Sequence, residues 1–307
     1  MMLAPLPPPV DDHADEGARA LRQWLQGAWD KAPRISHVEV EGAAIACRHW
    51  EAGSRPGLIF VHGYLAHARW WDHIAPHFLD GHRALAPDLS GMGDSGWRGS
   101  YTLEQHAREI IAVGRAAGFD QCILVGHSYG GRVALAAAAM APDYVQRAIL
   151  VDSMLSIPEH PLPTVPERAK TYRRERAEAL ERYRLVPPGG WPSPPVRDYV
   201  AEHSLTESDR GWGWKFDDRA AAWLNRQGRI ATDPAPVPVD FIHGDRSERV
   251  QPMLVARLKE LLPTCGDPIA IPLCHHHVMI EQPVALVAAL RGLLANSRNR
   301  AEANSRT

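Results

Sequence analysis

The chain has 307 residues, with 34 basic against 36 acidic side chains and a formal charge of −2. No whole-chain positive field is therefore available to condense on a phosphate backbone, and nucleic acid is not an expected partner. Hydrophobic residues make up 45% and charged residues 23%, a balance that excludes an intrinsically disordered chain and is sufficient for a large buried core without staples. The length suits two average domains or one large α/β domain carrying an insertion.

Cys47, Cys122, Cys265 and Cys274 lack the paired short spacing of a zinc or iron–sulfur site, so neither a disulfide scaffold nor a metal knuckle is expected. Scattered reduced thiols suit a cytoplasmic protein. In the opening MMLAPLPPPVDDHADEG, prolines and acids interrupt every apolar run, which argues against a secretory signal. Elsewhere charged and polar residues break the apolar stretches too early for a membrane span. The oligomeric state is not readable from these residues.

Residues 1 to about 16 read as a loose tail, and Leu21, Trp24, Leu25 and Trp29 then share one helical face, predicting a helix over the sheet edge. ISHVEVEGAAIACRHW predicts two strands around Glu41 and Gly42, and GLIFV a short buried strand ending at His62–Gly63. WWDHIAPHF reads as helix, HRALAP as strand, LEQHAREIIAVGRAAG as helix, QCILV as strand, GGRVALAAAAMAP as helix and QRAILV as strand. Such alternation predicts a largely parallel sheet covered on both faces. After Ser153 the rhythm breaks. PEHPLPTVPE, the charged run AKTYRRERAEALERYR, the loop PPGGWPSPP and GWGWKF, with Trp191, Trp212, Trp214 and Trp223, predict an inserted helical lid. The sheet resumes at PVDFIHG, and MLVARLKELLP (helix), PIAIPLC (strand) and EQPVALVAALRGLLA (helix) complete it. The expected organisation is an N-terminal tail and helix over 1–34, a core over 35–156 and 231–296, a lid over 157–230 and a flexible tail over 297–307.

The strongest local signal is QCILVGHSYGG, in which Gly126, Ser128 and Gly130 form G-x-S-x-G between a buried strand and a helix. A sharp turn there lifts a serine hydroxyl above the sheet, and the helix beneath adds partial positive charge where a tetrahedral intermediate becomes negative. A serine needs a nearby base to act as nucleophile.

Together with LIFVHGYLAHARWWDHIAPHF, APDLSGMGDSG and PLCHHHVMIEQP, this segment resembles the α/β-hydrolase fold family over most of the chain. The resemblance implies a mostly parallel central sheet with helices on both faces and an inserted helical lid. It also implies Ser128 as nucleophile and the backbone N–H groups of Tyr64 and Tyr129 as the oxyanion hole. Asp88, Gly91, Gly93 and Ser95 would organise a loop rather than take part in chemistry. The family places its catalytic histidine five residues before an acidic residue in a segment ending in proline; Glu281 and Pro283 therefore point to His276 among His275, His276 and His277. With no spaced carboxylate or cysteine set beside it, the histidine triplet is not read as a metal site.

The orienting acid is ambiguous. The family often has an aspartate three positions after the glycine that ends the seventh strand, but the residue three after Gly244 is Ser247. Glu248, one place later, and Asp152, just after the sixth strand, are the alternatives, with Asp245 a weaker third.

These readings converge on hydrolysis of a carboxylic ester through an acyl-enzyme, with no cofactor, acting on a small-molecule acyl or aromatic substrate in a pocket that includes Trp191, Trp212 and Trp214. Hydrolysis of an amide, a lactone or a carbon–carbon bond in a diketone-like acid remains open, as does a peracid-forming side reaction. Serine at the elbow disfavours epoxide and haloalkane chemistry, which would place aspartate there. A non-catalytic ligand-binding protein on the same fold is the alternative outside enzymes.

Overall fold

The computed structural model describes residues 12–155, 170–188, 190, 192–220, 222 and 236–304. Its main sheet contains β1 (Arg34–Val40), β2 (Ala43–Trp50), β3 (Arg55–Val61), β4 (His82–Pro87), β5 (Cys122–His127), β6 (Val145–Val151), β9 (Val239–Gly244) and β10 (Ile269–Ile271). Their spatial order is β1-β2-β4-β3-β5-β6-β9-β10. β2 runs antiparallel to both of its neighbours, and every other neighbouring pair is parallel. β1 and β2 join through Glu41 and Gly42, both at positive φ (47° and 80°), as a two-residue hairpin matched to strand twist requires.

The central strands are apolar on both faces because each face is covered. Ile59 and Val61 of β3, Leu124 of β5 and Ala148 and Leu150 of β6 enter one core; Leu58, Phe60, Ile123, Val125, Ile149 and Val151 enter the other. This alternation is the period of two expected of a strand. The first core is closed by α2 (Leu103–Ala116), α3 (Tyr129–Met140) and α6 (Pro252–Leu261), and the second by α1 (Asp12–Trp29), α7 (Val278–Glu281) and α8 (Pro283–Asn304). The Thr102 side chain caps α2 by accepting from the Gln105 N–H at 3.0 Å. Alanines 134, 137 and 138 of α3 are fully buried, which lets that helix lie close to the sheet. Among the described residues no helix is long and apolar enough to cross a membrane.

Three segments differ from expectation. WWDHIAPHF is not one helix but two 3₁₀ turns, Ala68–Trp71 and Ala75–Phe78; Pro76 has no N–H with which to continue an α-helical ladder. α1 begins at Asp12, inside the expected tail, and packs on the second turn, where Trp24 stacks on His77 at 4.0 Å between ring centroids. α8 runs on to Asn304, past the expected end of the core.

Among its described residues, the insertion between β6 and β9 is less helical than its sequence suggests. Only α4 (Arg176–Glu181) and α5 (Pro194–His203) are regular helices of any length there among the described residues, and β7 (Leu205–Ser208) with β8 (Gly211–Trp214) makes a separate antiparallel ribbon. The charged run loses its first turns because Arg173 exchanges both backbone hydrogen bonds with Trp212, at 2.9 and 2.8 Å, and so joins the ribbon. A buried ion pair anchors the insertion to the core: Arg48 donates to both oxygens of Asp72 at 2.6 and 2.7 Å, and the Tyr199 hydroxyl of α5 donates to the same carboxylate.

Candidate active site

Ser128 lies between the end of β5 and the start of α3 at φ 52° and ψ −116°, a conformation that non-glycine residues rarely adopt. Close backbone approach dictates the glycines around it. A Cβ on Gly126 would lie 2.3 Å from the Gly130 carbonyl oxygen, and one on Gly130 would lie 2.4 Å from that of Val61. The Ser128 N–H donates to the Val151 carbonyl at 2.9 Å, tying the elbow to the end of β6.

The loop after β10 carries the histidines to this elbow. The Ser128 hydroxyl donates to His276 Nε2 at 3.1 Å, and His276 Nδ1 donates to Asp152 Oδ2 at 2.6 Å. Asp152, fully buried one residue beyond β6, also accepts the Gly244 N–H at 3.0 Å on Oδ1 and the Ser247 hydroxyl at 2.6 Å on Oδ2. Ser247 thus occupies the position where an acid was sought and instead donates to a carboxylate from the neighbouring strand.

Glu248 is exposed and makes no hydrogen bond to His276 among the described residues. It lines a small cavity with His275, His276, His277 and Glu281. Asp245 is also turned elsewhere: its Oδ1 accepts the Cys274 N–H at 3.2 Å, and such backbone donors hold its carboxyl below the usual aspartate range. Glu281 braces the triplet by accepting the N–H groups of His275 and His277 at 3.0 and 3.1 Å.

Burial favours the neutral imidazole at His276 and pushes its pKa down to about 3, so the ring is a proton acceptor at neutral pH. Burial also raises the Asp152 carboxyl to about 6 against the donors from Ser247 and Gly244; it remains an anion above that pH. His127 is a partner that sequence reasoning passed over, as the variable residue inside G-x-S-x-G. Its Nε2 donates to the His276 carbonyl at 3.0 Å, and burial pushes its ring down to about 3.

Tyr129 opens α3, with its hydroxyl on His106 Nδ1 at 2.8 Å. Tyr64 follows His62–Gly63, whose loop is pinned by the His62 ring. That ring donates to the Gly63 carbonyl at 2.7 Å and accepts the Leu89 N–H at 3.0 Å. A Cβ on Gly63 would stand 3.3 Å from the Ser128 Cβ, so this loop faces the elbow. Asp88 holds the neighbouring turns by accepting the Ala68 and Asp94 N–H groups at 2.6 and 2.8 Å.

Beside Tyr64 opens a cavity of about 440 Å³, walled by Leu65, Trp70, Tyr183, Trp214 and Phe216 among others. Arg182, Arg184 and Lys215 also reach it, and no carboxylate is among the described residues of its wall; Lys215 pairs with Asp94 at 2.6 Å. Of the three tryptophans expected in a pocket, Trp214 lines this one. Trp212 does not, and Trp191 lies outside the described residues. Trp70, within a segment read as a plain helix, does line it. The group able to hold a metal among the described residues is His127, His276 and His277.

Residues 58–290 match the model of the alpha/beta hydrolase family. The esterase Rv0045c of Mycobacterium tuberculosis is 28% identical over 270 residues, covering 83% of this chain and 88% of its own. Its crystal structure superposes with a TM-score of 0.66 at 25% identity, over 94% of this chain and all of that one. The 2-(acetamidomethylene)succinate hydrolase of Mesorhizobium japonicum is 26% identical, covering 80% of this chain and 90% of its own. The thioesterase domain from the curacin biosynthetic pathway shares the fold at a TM-score of 0.70 and 23% identity, over 84% of this chain and 99% of that domain. With the order of strands, the elbow and the matched residues in agreement, this chain belongs to the alpha/beta hydrolase family and is a hydrolase.

Proposed function

We propose that the protein cleaves carboxylic esters through an acyl-enzyme, with Ser128 as nucleophile, His276 as base and acid, and Asp152 as the orienting carboxylate. The observation that carries this reading is the unbroken chain from Ser128 Oγ to His276 Nε2, and from Nδ1 to Asp152, at 3.1 and 2.6 Å. Ser128 Oγ attacks the carbonyl carbon while its proton passes to Nε2. The Tyr64 and Tyr129 N–H groups receive the oxyanion. Collapse breaks the ester C–O bond and the alcohol leaves with the proton from His276. Water then attacks the acyl group, gives its proton to His276, and the acid departs as Ser128 recovers its hydrogen.

The insertion acts as a specificity cover: Tyr183, Trp214 and Phe216 bring large rigid apolar surface to the cavity, which suits an acyl or aromatic group. A second reading, hydrolysis of an acidic amide, draws on Arg182 and Arg184 at a wall without carboxylates among its described residues and on the similarity to the 2-(acetamidomethylene)succinate hydrolase. The four buried free cysteines fit a cytoplasmic setting.

Turnover of p-nitrophenyl esters from acetyl to decanoyl, set against lactones, diketone acids and dicarboxylic amides, tests the proposal. Ester turnover that Ser128→Ala abolishes without lowering the melting temperature is expected. Turnover confined to the acidic amides would transfer the assignment to the second reading. Absence of turnover on every substrate would favour the ligand-binding alternative.

A further inference from the structure

Three imidazoles meet beside the elbow. The ring centroids of His127 and His276 are 4.8 Å apart, those of His276 and His277 5.0 Å, and those of His127 and His277 6.0 Å. One ring nitrogen from each lies within 4.8 Å of the other two, and all three residues are buried. His127 Nδ1 and both nitrogens of His277 are buried without a hydrogen-bond partner among the described residues, an uncommon condition for polar atoms that asks for an explanation.

The hydrogen bonds that do exist prepare these rings for a cation. His127 gives its Nε2 proton to the His276 carbonyl, which leaves a bare lone pair on Nδ1; His276 gives its Nδ1 proton to Asp152, which leaves one on Nε2. A second ring nitrogen held by a carbonyl or a carboxylate is the usual support of a metal-binding histidine. A tetrahedral ion about 2.0–2.1 Å from three imidazole nitrogens places the ring centroids about 5 Å apart; the His127–His276 and His276–His277 pairs stand at that spacing, and the His127–His277 pair, at 6.0 Å, would close by about 1 Å on binding. The small cavity lined by Glu248, His275, His276, His277 and Glu281 borders two of the three rings, with the exposed Glu248 adding negative charge. The triplet alone gave no reason to expect a metal; the third ligand comes from His127, 148 residues before His275 in the chain and adjacent to Ser128.

We propose that His127 Nδ1, His276 Nε2 and one ring nitrogen of His277 form a site for Zn²⁺ or a similar borderline divalent ion, and that its occupancy shuts the hydrolase off. Neutral imidazoles select such ions over Mg²⁺ and Ca²⁺. The same Nε2 lone pair cannot hold a metal and take the Ser128 proton, so binding and turnover exclude one another. The inhibition rests on His276 being the base, as proposed above; the binding does not.

Titration calorimetry with ZnCl₂ on the full chain and on Ser128→Ala should show the same one-to-one site in both. His277→Asn and His127→Asn should each weaken that site by about tenfold or more. Co²⁺ should give the intense visible band of a four-coordinate site in the unmodified protein, a readout needing no variant. In an ester assay Zn²⁺ should inhibit reversibly to chelator, and His277→Asn, scored against its own metal-free rate whatever that rate is, should need at least about ten times more Zn²⁺ for half-inhibition. Lack of binding to both proteins, binding unchanged in the folded His277→Asn chain, only the weak band of octahedral Co²⁺, or activation by Zn²⁺ would each overturn the proposal. Should no ester be turned over, calorimetry and the cobalt band still decide the site.

Discussion

Asp152→Asn separates the chemical role of the carboxylate from its cost to the fold. The amide is nearly isosteric: its oxygen can still accept the Gly244 N–H, and its NH₂ can donate to the Ser247 oxygen and to His276 Nδ1. That last bond reverses the imidazole tautomer, leaving a proton on Nε2 where a lone pair must face Ser128, and the corresponding change in a serine protease costs about 10⁴-fold in turnover. Stability should move the other way. Burial raises the Asp152 pKa from 3.8 to about 6. At low pH the carboxyl is neutral in both folded and unfolded chains and contributes nothing. As pH rises between these values the folded chain holds a proton that the unfolded chain has released, so stability falls. Above about pH 6 the full cost of a buried anion is present, about 3 kcal/mol from the displacement of the pKa. Asparagine carries no such cost. Urea unfolding should therefore find the variant more stable by up to about 3 kcal/mol near pH 8, with the gain vanishing near pH 4. Ester kcat/KM of the unmodified protein, measured with chelator present, should decline as pH falls through about 6, where the Asp152–His276 pair takes up its first proton. A variant within tenfold of the parent in turnover, or a stability difference equal at both pH values, would refute the reasoning.

Ser128→Gly should be more stable than Ser128→Ala by about 1 kcal/mol, reversing the usual order, because φ 52° suits glycine; both should lose at least about 10⁴-fold in turnover, and melting curves check the order. Gly126→Ala should cost about 3 kcal/mol or more, since the new Cβ meets a backbone oxygen at 2.3 Å rather than a movable side chain; chemical denaturation reads it. Arg48→Met should cost about 3 kcal/mol by removing the cation that donates to both oxygens of buried Asp72 and leaving it, among the described residues, only Arg69 as a cation, at 3.9 Å, and the double change with Asp72→Leu should recover most of that loss in the same measurement.

The parts of the fold that were legible in the sequence are those whose signal is local. The strand Cys122–His127 and the helix Tyr129–Met140 each follow from a short apolar pattern, and the elbow between them from the G-x-S-x-G spacing, in which Gly126 makes room for the Gly130 carbonyl four residues on, although Gly130 makes room for that of Val61 on the neighbouring strand. Where backbone groups are claimed by a distant segment, local pattern fails. Arg173 reads as the start of a charged helix yet pairs with Trp212. His127 carries no local sign that its ring will stand 4.8 Å from that of His276, 149 residues on. Trp70 gives no local sign that it walls a cavity with Trp214.

The ambiguity over the acid has the same origin, and the sheet explains why the sequence offers two places for it. β6 and β9 are parallel neighbours with Val151 opposite Ile242, so residues just beyond the two strand ends emerge side by side. Asp152 donates its N–H to the Ile242 carbonyl at 2.7 Å and accepts that of Gly244, and the 2.6 Å bond from Ser247 bridges the two loops. A carboxylate launched from either strand end can meet the same imidazole edge, provided the other loop supplies a donor rather than a second negative charge. Chain order does not record which strands are neighbours; hence Ser247 reads in the sequence as a missing acid, while in space it is the hydroxyl that holds Asp152 toward His276.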